Sequence, residues 1–326
     1  MNIGIAGAGN IVPGFLEAAK EVEGINVKAI CCTPSGTERA KSLCESYGID
    51  TLYTDYERLL SDRNIDTVYI AVPNDFHYLF AEKALERGLH AIVEKPFVTS
   101  RDEALQLQQT AKDKKVFLFE AITTQYSPDY RKLKELVSEI GELKIVSINY
   151  SQYSSRYDRF KNGEVLPAFD PKKAGGALMD LGVYNVHFVC GLFGVPKAVR
   201  YYPNIERGID TSGILILEYD NMKCTCIAAK DCRAPSSICI QGDRGFIYSD
   251  ASSNVFDHFC LHYHSGEEER YALNDRSIEK RMYYELDAFE KMIRMNDRLS
   301  MNERLEHSIN VVSILEDARK TAGLSF

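Results

Sequence analysis

The chain of 326 residues has no Cys-x-x-Cys pair, no surplus of basic residues and no basic, cleavable apolar leader. Its nine cysteines are an odd number; Cys31-Cys32 lies in an apolar run, and Cys224-x-Cys226 puts two thiols on one face of a strand. That pattern fits small core residues and disfavours structural zinc, whose ligands usually arrive as closely spaced pairs. A net charge of -8 leaves no face rich enough in Lys and Arg for a nucleic acid. No uninterrupted apolar stretch approaches the roughly 20 residues of a membrane span, and Met1-Asn2-Ile3-Gly4-Ile5 does not open like a signal peptide. The expectation is a cytoplasmic globular chain, long enough for two domains, with neither nucleic acid nor membrane as partner.

What is present begins as short apolar runs alternating with helical patterns. Asn2 to Ala6, Val27 to Cys32, Thr67 to Ala71, His90 to Glu94 and Val116 to Glu120 read as strands of a parallel sheet buried on both faces. Between them fall helices at Asn10 to Val22, Thr37 to Tyr47 with Gly48 past its end, Asn74-Asp75 to near Gly88, and Ser100 to about Lys114, the last opened by the capping box Ser100-Arg-Asp-Glu103. This is a doubly wound α/β domain, expected over residues 1–122. Its first turn, Gly7-Ala8-Gly9-Asn10-Ile11-Val12, suits a dinucleotide: Gly7 permits the tight turn and Gly9 lets backbone approach a pyrophosphate at the helix amino terminus. Val12 stands where the third glycine of that fingerprint would pack helix on sheet.

The end of the second strand selects the dinucleotide. Thr33, Ser35, Thr37 and Arg39 follow it with no carboxylate at the strand tip, which favours NADP over NAD. The other reading puts Arg39 on the solvated face of its helix, with Glu38 weakening any basic pocket.

Beyond Ala121 the pattern changes. Ser127-Pro128 starts a helix ending near Gly141, and strand-like runs follow at Leu143 to Tyr150, Ile214 to Tyr219, Met222 to Ala228, Ile238 to Gln241, Gly245 to Tyr248 and Phe259 to Tyr263. Tyr219-Asp220-Asn221-Met222 reads as a hairpin turn, so the second domain, 123–326, is α+β with a mainly antiparallel sheet. Leu305, Ile309, Val312 and Leu315 form an apolar stripe on a terminal helix, which core packing explains. Paired glycines, Gly175-Gly176, lead into a helix on which Asp180, Tyr184 and His187 recur on one face, and such glycines allow another molecule to come close.

Two positions suggest chemistry. Lys95, in Glu94-Lys95-Pro96, sits at the carboxyl tip of a strand, where open α/β sheets bind ligands. The bland alternative is a strand exit in which the lysine snorkels to water. Tyr184 suits as the group that takes a hydroxyl proton during hydride removal, provided a neighbouring ammonium lowers its pKa from about 10. Lys95 and Tyr184 are therefore expected to pair as acid and base across the domain cleft, with Asp180 orienting the substrate or the lysine. The alternative makes Asp180 a helix-dipole partner and Tyr184 a packing residue.

Gly7-Ala-Gly9-Asn10, Pro73-Asn74-Asp75-Phe76-His77, Glu94-Lys95-Pro96 and Gly175-Gly176-x-x-x-Asp180-x-Gly182-x-Tyr184 together resemble the Gfo/Idh/MocA oxidoreductase family over essentially the whole chain. Within it, Phe117-Leu118-Phe119-Glu120-Ala121, Tyr184 where many members carry histidine, and Leu315 to Lys320 look most like the dimeric dihydrodiol dehydrogenase and glucose-fructose oxidoreductase branch. The resemblance implies a Rossmann domain, a second domain whose large open sheet commonly forms a homodimer or higher homo-oligomer, and hydride transfer between NAD(P) and a secondary alcohol or carbonyl of a sugar, cyclitol or trans-dihydrodiol. It implies Lys95, Asp180 and Tyr184 as catalytic residues. Cofactor contacts are expected from Gly7, Gly9, Asn10, Ile11, Thr33, Arg39, Pro73, Asn74, His77, Glu94 and Lys95, and substrate contacts from Lys95, Tyr126, Arg156, Asp180 and Tyr184. His187 stands where many relatives have a second aspartate, and Gln125 replaces a commonly basic residue. Two alternatives within the resemblance are glycoside hydrolysis through a transient NAD redox cycle and a non-enzymatic NAD(P)H sensor.

Overall fold

The computed structural model describes residues 1–275 and 281–324. It divides into two compact units, Met1–Ile122 with Arg276–Ile309, and Thr123–Asp275 with Asn310–Phe326. The expected second domain, 123–326, is thus interrupted: a segment inside it belongs to the first unit.

The first unit holds β1 (Asn2–Ala6), α1 (Val12–Ala19), β2 (Asn26–Cys31), α2 (Thr37–Tyr47), β3 (Thr51–Tyr53), α3 (Tyr56–Leu60), β4 (Thr67–Ile70), α4 (His77–Glu86), β5 (His90–Glu94), α5 (Arg101–Lys114) and β6 (Leu118–Ala121). Six parallel strands lie in the order β3-β2-β1-β4-β5-β6. The order reverses between β1 and β4, which opens a crevice at the carboxyl ends of the strands. Continuous apolar runs are required because both faces are covered: every residue of β4 and β6 is buried. The α5 capping box forms as expected, with Ser100 accepting from the Glu103 main chain and Glu103 reaching back to the Ser100 N–H. Val12, in place of a glycine, is buried, and beside it Phe15 stacks on Tyr69 at 3.8 Å, so the larger side chain is absorbed in helix-to-sheet packing.

The second unit holds α6 (Pro128–Leu136), β7 (Leu143–Ser151), α7 (Tyr157–Lys161), α8 (Val183–Phe193), β8 (Ala198–Glu206), β9 (Ile209–Glu218), β10 (Lys223–Ala229), β11 (Ser237–Gly242), β12 (Gly245–Ser249), β13 (Phe259–Tyr263) and β14 (Glu268–Tyr271). The eight-stranded sheet runs β14-β13-β12-β11-β7-β10-β9-β8, antiparallel except where β10 pairs with β7. The turn at Tyr219 to Met222 closes the β9–β10 hairpin through Tyr219 N–H to Met222 O at 3.0 Å. Alternation sends Val146, Ile148, Leu215, Leu217, Cys224 and Cys226 into a core shared with α6 and α8. The opposite face leaves Ile145, Tyr202, Ile214, Phe246 and Tyr248 exposed. All nine cysteines are unpaired, and burial raises the Cys224 thiol to about 12, which suits an inert core residue. The stretch Pro171–Phe193 has the length and mean apolar character of a membrane span, but 72% of its apolar window is buried inside the protein, as for a core helix.

Two last helices follow, α9 (Tyr283–Arg294) and α10 (Arg298–Thr321). In the first unit Phe289 of α9 stacks on Phe119 of β6 at 4.4 Å, and Arg298 donates to the Lys115 carbonyl at 2.6 Å. The expected stripe Leu305, Ile309, Val312 and Leu315 is buried along α10.

Candidate active site

The loop after β1 and the residues after β2 make a cleft of about 520 Å³ lined by Gly7, Gly9, Cys32, Thr33, Pro73 and Phe80, among others. Gly7 has φ +116°, and a Cβ there would lie 2.8 Å from the Ala71 carbonyl carbon, so only glycine fits. A Cβ on Gly9 would meet nothing closer than the Ala71 oxygen at 3.8 Å, so the space above Gly9 is open. Helix α1 begins after Ile11 with no side-chain cap and no acid in its first turn, leaving amino-terminal N–H groups for an anion. An open glycine cradle beneath an uncapped helix start fits a dinucleotide pyrophosphate.

Arg39, which is exposed, donates to the Asn10 side-chain oxygen at 2.9 Å, and the Thr33 and Ser35 hydroxyls lie 3.0 Å apart. Pro73 is extended and Asn74 starts a short 3-10 turn running into α4.

His77 differs from expectation. It is buried, its ring nitrogens 2.9 Å from the Pro96 carbonyl and 3.0 Å from the Val72 carbonyl. It ties the loop after β4 to the loop after β5, so its place is structural support and not a cofactor contact. Burial lowers its pKa, while hydrogen bonding to the two carbonyls works in the opposite direction.

Lys95, half-buried at the tip of β5, sits on a well-fastened loop. Its own N–H donates to Glu94 Oε2 at 3.2 Å, the Tyr69 hydroxyl donates to Glu94 Oε1 at 2.5 Å, and Phe97 N–H donates to Glu120 Oε1 at 2.9 Å. Glu94, expected at the cofactor, is therefore engaged below the loop, where burial raises its pKa against the pull of Tyr69 and Lys95. Glu285 of α9 adds a third buried carboxyl. Burial, then the proximity of Glu94 and Glu120, push it well above the ordinary carboxylate range, which favours its protonated form. Sequence reasoning missed Glu285, since a lone Glu on an amphipathic helix reads as solvated.

In the second unit the Gly175-Gly176 turn is not an opening for another molecule. Gly176 has φ +105°, and its Cβ would lie 2.9 Å from Asp210 Cγ; a Cβ on Gly175 would lie 2.6 Å from the Pro167 oxygen. The chain itself occupies that space. Asp210 accepts from Leu178 N–H and from the Tyr201 hydroxyl, both at 2.7 Å, and so anchors the start of a π-helical turn, Leu178–Gly182. Burial pushes the Asp210 carboxyl up to about 6. Single π turns recur at functional sites. This one carries Asp180, whose Oδ2 lies 2.7 Å from the Lys230 ammonium, with Asp180 34% exposed and Lys230 only 2%.

Tyr184 follows four residues after Asp180, half-buried, its ring edge-on to Tyr150 at 6.1 Å. His187 does not share that surface; it is fully buried, and its carbonyl accepts from Gln125 Nε2 at 2.8 Å. Tyr126, expected at the substrate, is buried in a 3-10 turn, and Arg156 is exposed just before α7.

Residues 1–122 match the family described as "Oxidoreductase family, NAD-binding Rossmann fold" (GFO_IDH_MocA), and residues 130–248 match the GFO/IDH/MocA C-terminal domain. The chain is 32% identical over 323 residues to scyllo-inositol 2-dehydrogenase (NADP(+)) IolU of Bacillus subtilis (strain 168), covering 99% of this chain and 97% of that one. The chain belongs to the Gfo/Idh/MocA oxidoreductase family. Other Gfo/Idh/MocA relatives include D-xylose 1-dehydrogenase (NADP(+)) 2 of Haloferax volcanii, 34% identical over 68% of this chain and 66% of that one. The trans-1,2-dihydrobenzene-1,2-diol dehydrogenase of Xenopus tropicalis is 27% identical over 75% of this chain and 73% of that one. The crystal structure of KijD10, a 3-ketoreductase from Actinomadura kijaniata, in complex with TDP-benzene and NADP shares the fold, with TM-score 0.82 over 98% of this chain and 97% of that one at 20% identity. The chain is an oxidoreductase with an NAD-binding Rossmann fold.

Proposed function

We propose that this Gfo/Idh/MocA protein is an NADP(H)-dependent dehydrogenase, or reductase in reverse, acting on a secondary alcohol or carbonyl of a sugar, cyclitol or trans-dihydrodiol. The observation that carries the reading is Asp180, a partly exposed carboxylate held at 2.7 Å by an ammonium, with a tyrosine one helical turn further on. Three relatives whose names specify inositol, xylose and a dihydrodiol support the substrate class, and two of those names specify NADP(+).

Bound nicotinamide supplies the hydride acceptor or donor. Gly9 and the first turn of α1 receive the pyrophosphate, and Thr33, Ser35 and Arg39 supply donors to a 2′-phosphate. Tyr184 takes the hydroxyl proton as carbon is oxidised and returns it in reduction. Lys95, at the tip of β5, would supply an ammonium to orient the cofactor ring, and Asp180 accepts from a substrate hydroxyl. Tyr184→Phe is expected to lower turnover roughly 100- to 10,000-fold while NADPH affinity stays within about twofold. Steady-state rates with a polyol panel and a fluorescence titration of NADPH against NADH check both parts, and unchanged turnover in Tyr184→Phe would remove it from the mechanism.

The exposed apolar face at Ile145, Tyr202, Ile214, Phe246 and Tyr248 supports a homodimer through the large sheet. Replacing Ile145 and Tyr248 by Asp should convert a dimer to monomer in sedimentation; a wild-type monomer at micromolar concentration would refute the assembly.

A further inference from the structure

Lys230 follows the last residue of β10 and is the most deeply enclosed cation named so far. Its main chain is fixed on both sides: its N–H donates to Thr211 O and its carbonyl accepts from Ser154 N–H, each at 2.8 Å. The ammonium meets Asp180 Oδ2 at 2.7 Å and donates to Ala168 O at 2.6 Å, and it lies 4.4 Å from the Phe169 ring centroid. Only 2% of the side chain is exposed, so Lys230 does not itself offer a surface to substrate.

A buried ion pair is commonly no more stabilising than apolar residues of the same volume, so a stability role gives a poor account of this lysine. The pair is also lopsided, because the lysine is enclosed while a third of Asp180 reaches the surface. That asymmetry is what a support under a working carboxylate looks like. The ammonium fixes the carboxylate rotamer and keeps it an acceptor, and an ionised carboxylate takes hydrogen bonds only from donors.

We propose that Lys230 is the positioning residue that holds Asp180 to accept a hydrogen bond from a hydroxyl adjacent to the carbon being oxidised, making the site selective for vicinal diols over simple alcohols. The proposal rests on the reading of Asp180 and Tyr184 as a polyol site. It extends that reading to a residue that does not touch substrate and to a defined substrate feature.

The test compares trans-cyclohexane-1,2-diol with cyclohexanol, using NADP+ and the full chain, in wild type, Lys230→Met, Asp180→Asn and the double variant. Wild type is expected to favour the diol by roughly 100-fold in kcat/KM, since a site built to pair a substrate hydroxyl rejects the analogue lacking it. Lys230→Met should reduce that ratio to within about fivefold of unity, mainly through the diol KM, with NADPH affinity retained. The double variant should be no worse than Asp180→Asn, because the lysine acts through the carboxylate. Multiplying losses, or a preserved diol preference in Lys230→Met, would overturn the role.

If Lys230→Met does not fold, Lys230→Arg decides: it should alter the diol KM in wild type and change nothing further in Asp180→Asn, and equal changes in both backgrounds refute the coupling. A wild type that oxidises neither these probes nor scyllo-inositol or D-xylose refutes the polyol site, and this role with it. An active wild type with additive losses refutes Lys230 alone.

Discussion

Two glycine turns lead into helices, one in each unit, and they use their glycines in opposite ways. Around Gly9 the nearest atom to a notional Cβ is 3.8 Å away, and the space is left for a ligand. Around Gly176 the same notional atom falls 2.9 Å from Asp210 Cγ, and the space is filled by the protein's own carboxyl. One turn is a cradle and the other a close-packed joint that aims the π turn bearing Asp180. Similar glycine spacing therefore carries two physical meanings, and only the neighbours separate them.

The largest effect that would test this contrast is on folding. Gly176→Ala forces a side chain into φ +105° and against Asp210, so we expect a loss of about 4 kcal/mol in urea denaturation, from backbone strain and overpacking together. A loss below about 1 kcal/mol would mean that the joint yields and the contrast fails.

Asp210 itself gives the next effect. Its folded-state carboxyl titrates at about 6 against 3.8 when unperturbed, so the folded state binds the proton more tightly. Stability from this group is accordingly fully present below about pH 4 and is lost as pH rises through 6. The difference corresponds to about 3 kcal/mol as an upper bound. Asp210→Asn removes the titration while keeping an oxygen for Leu178 N–H, so its stability should lack that fall between pH 4 and 6.5. Parallel pH profiles for the two proteins would show that Asp210 is ionised at no unusual cost.

The contrast also explains what could be read in advance. Central strands β1, β4, β5, β7, β10 and β11 declare themselves because burial on one or both faces demands apolar residues at fixed period. The three strands that escape notice, β3, β8 and β14, are all sheet edges. Edges are kept short, charged or broken by proline: β3 has three residues, β14 reads Glu-Glu-Arg-Tyr, and β8 contains Pro203. The same logic hides some of the buried ionisable groups. Lys95 and Tyr184 sit in motifs whose spacing is visible along the chain. Lys230 and Glu285 owe their meaning to partners distant in sequence, Asp180 in one case and Glu94 and Glu120 in the other. His77 shows the converse, since a polar residue after a strand tip reads as a ligand contact along the chain, yet its ring nitrogens lie against the main-chain carbonyls of two loops.

The smallest expected effect is the most diagnostic for the cradle. Gly9 carries no positive φ, and a methyl group there would make only ordinary contact with the Ala71 oxygen at 3.8 Å. Gly9→Ala should therefore change unfolding free energy by less than about 1 kcal/mol, with the reduced flexibility of the unfolded chain working in its favour. The methyl group would occupy the space into which a pyrophosphate must settle, so NADPH affinity should fall at least tenfold, about 1.4 kcal/mol. The two measurements move apart only if the room above Gly9 is kept for a ligand. If stability and affinity fell together, Gly9 would be a packing glycine like Gly176, and the cofactor would have to be held chiefly by the residues after β2 and β5.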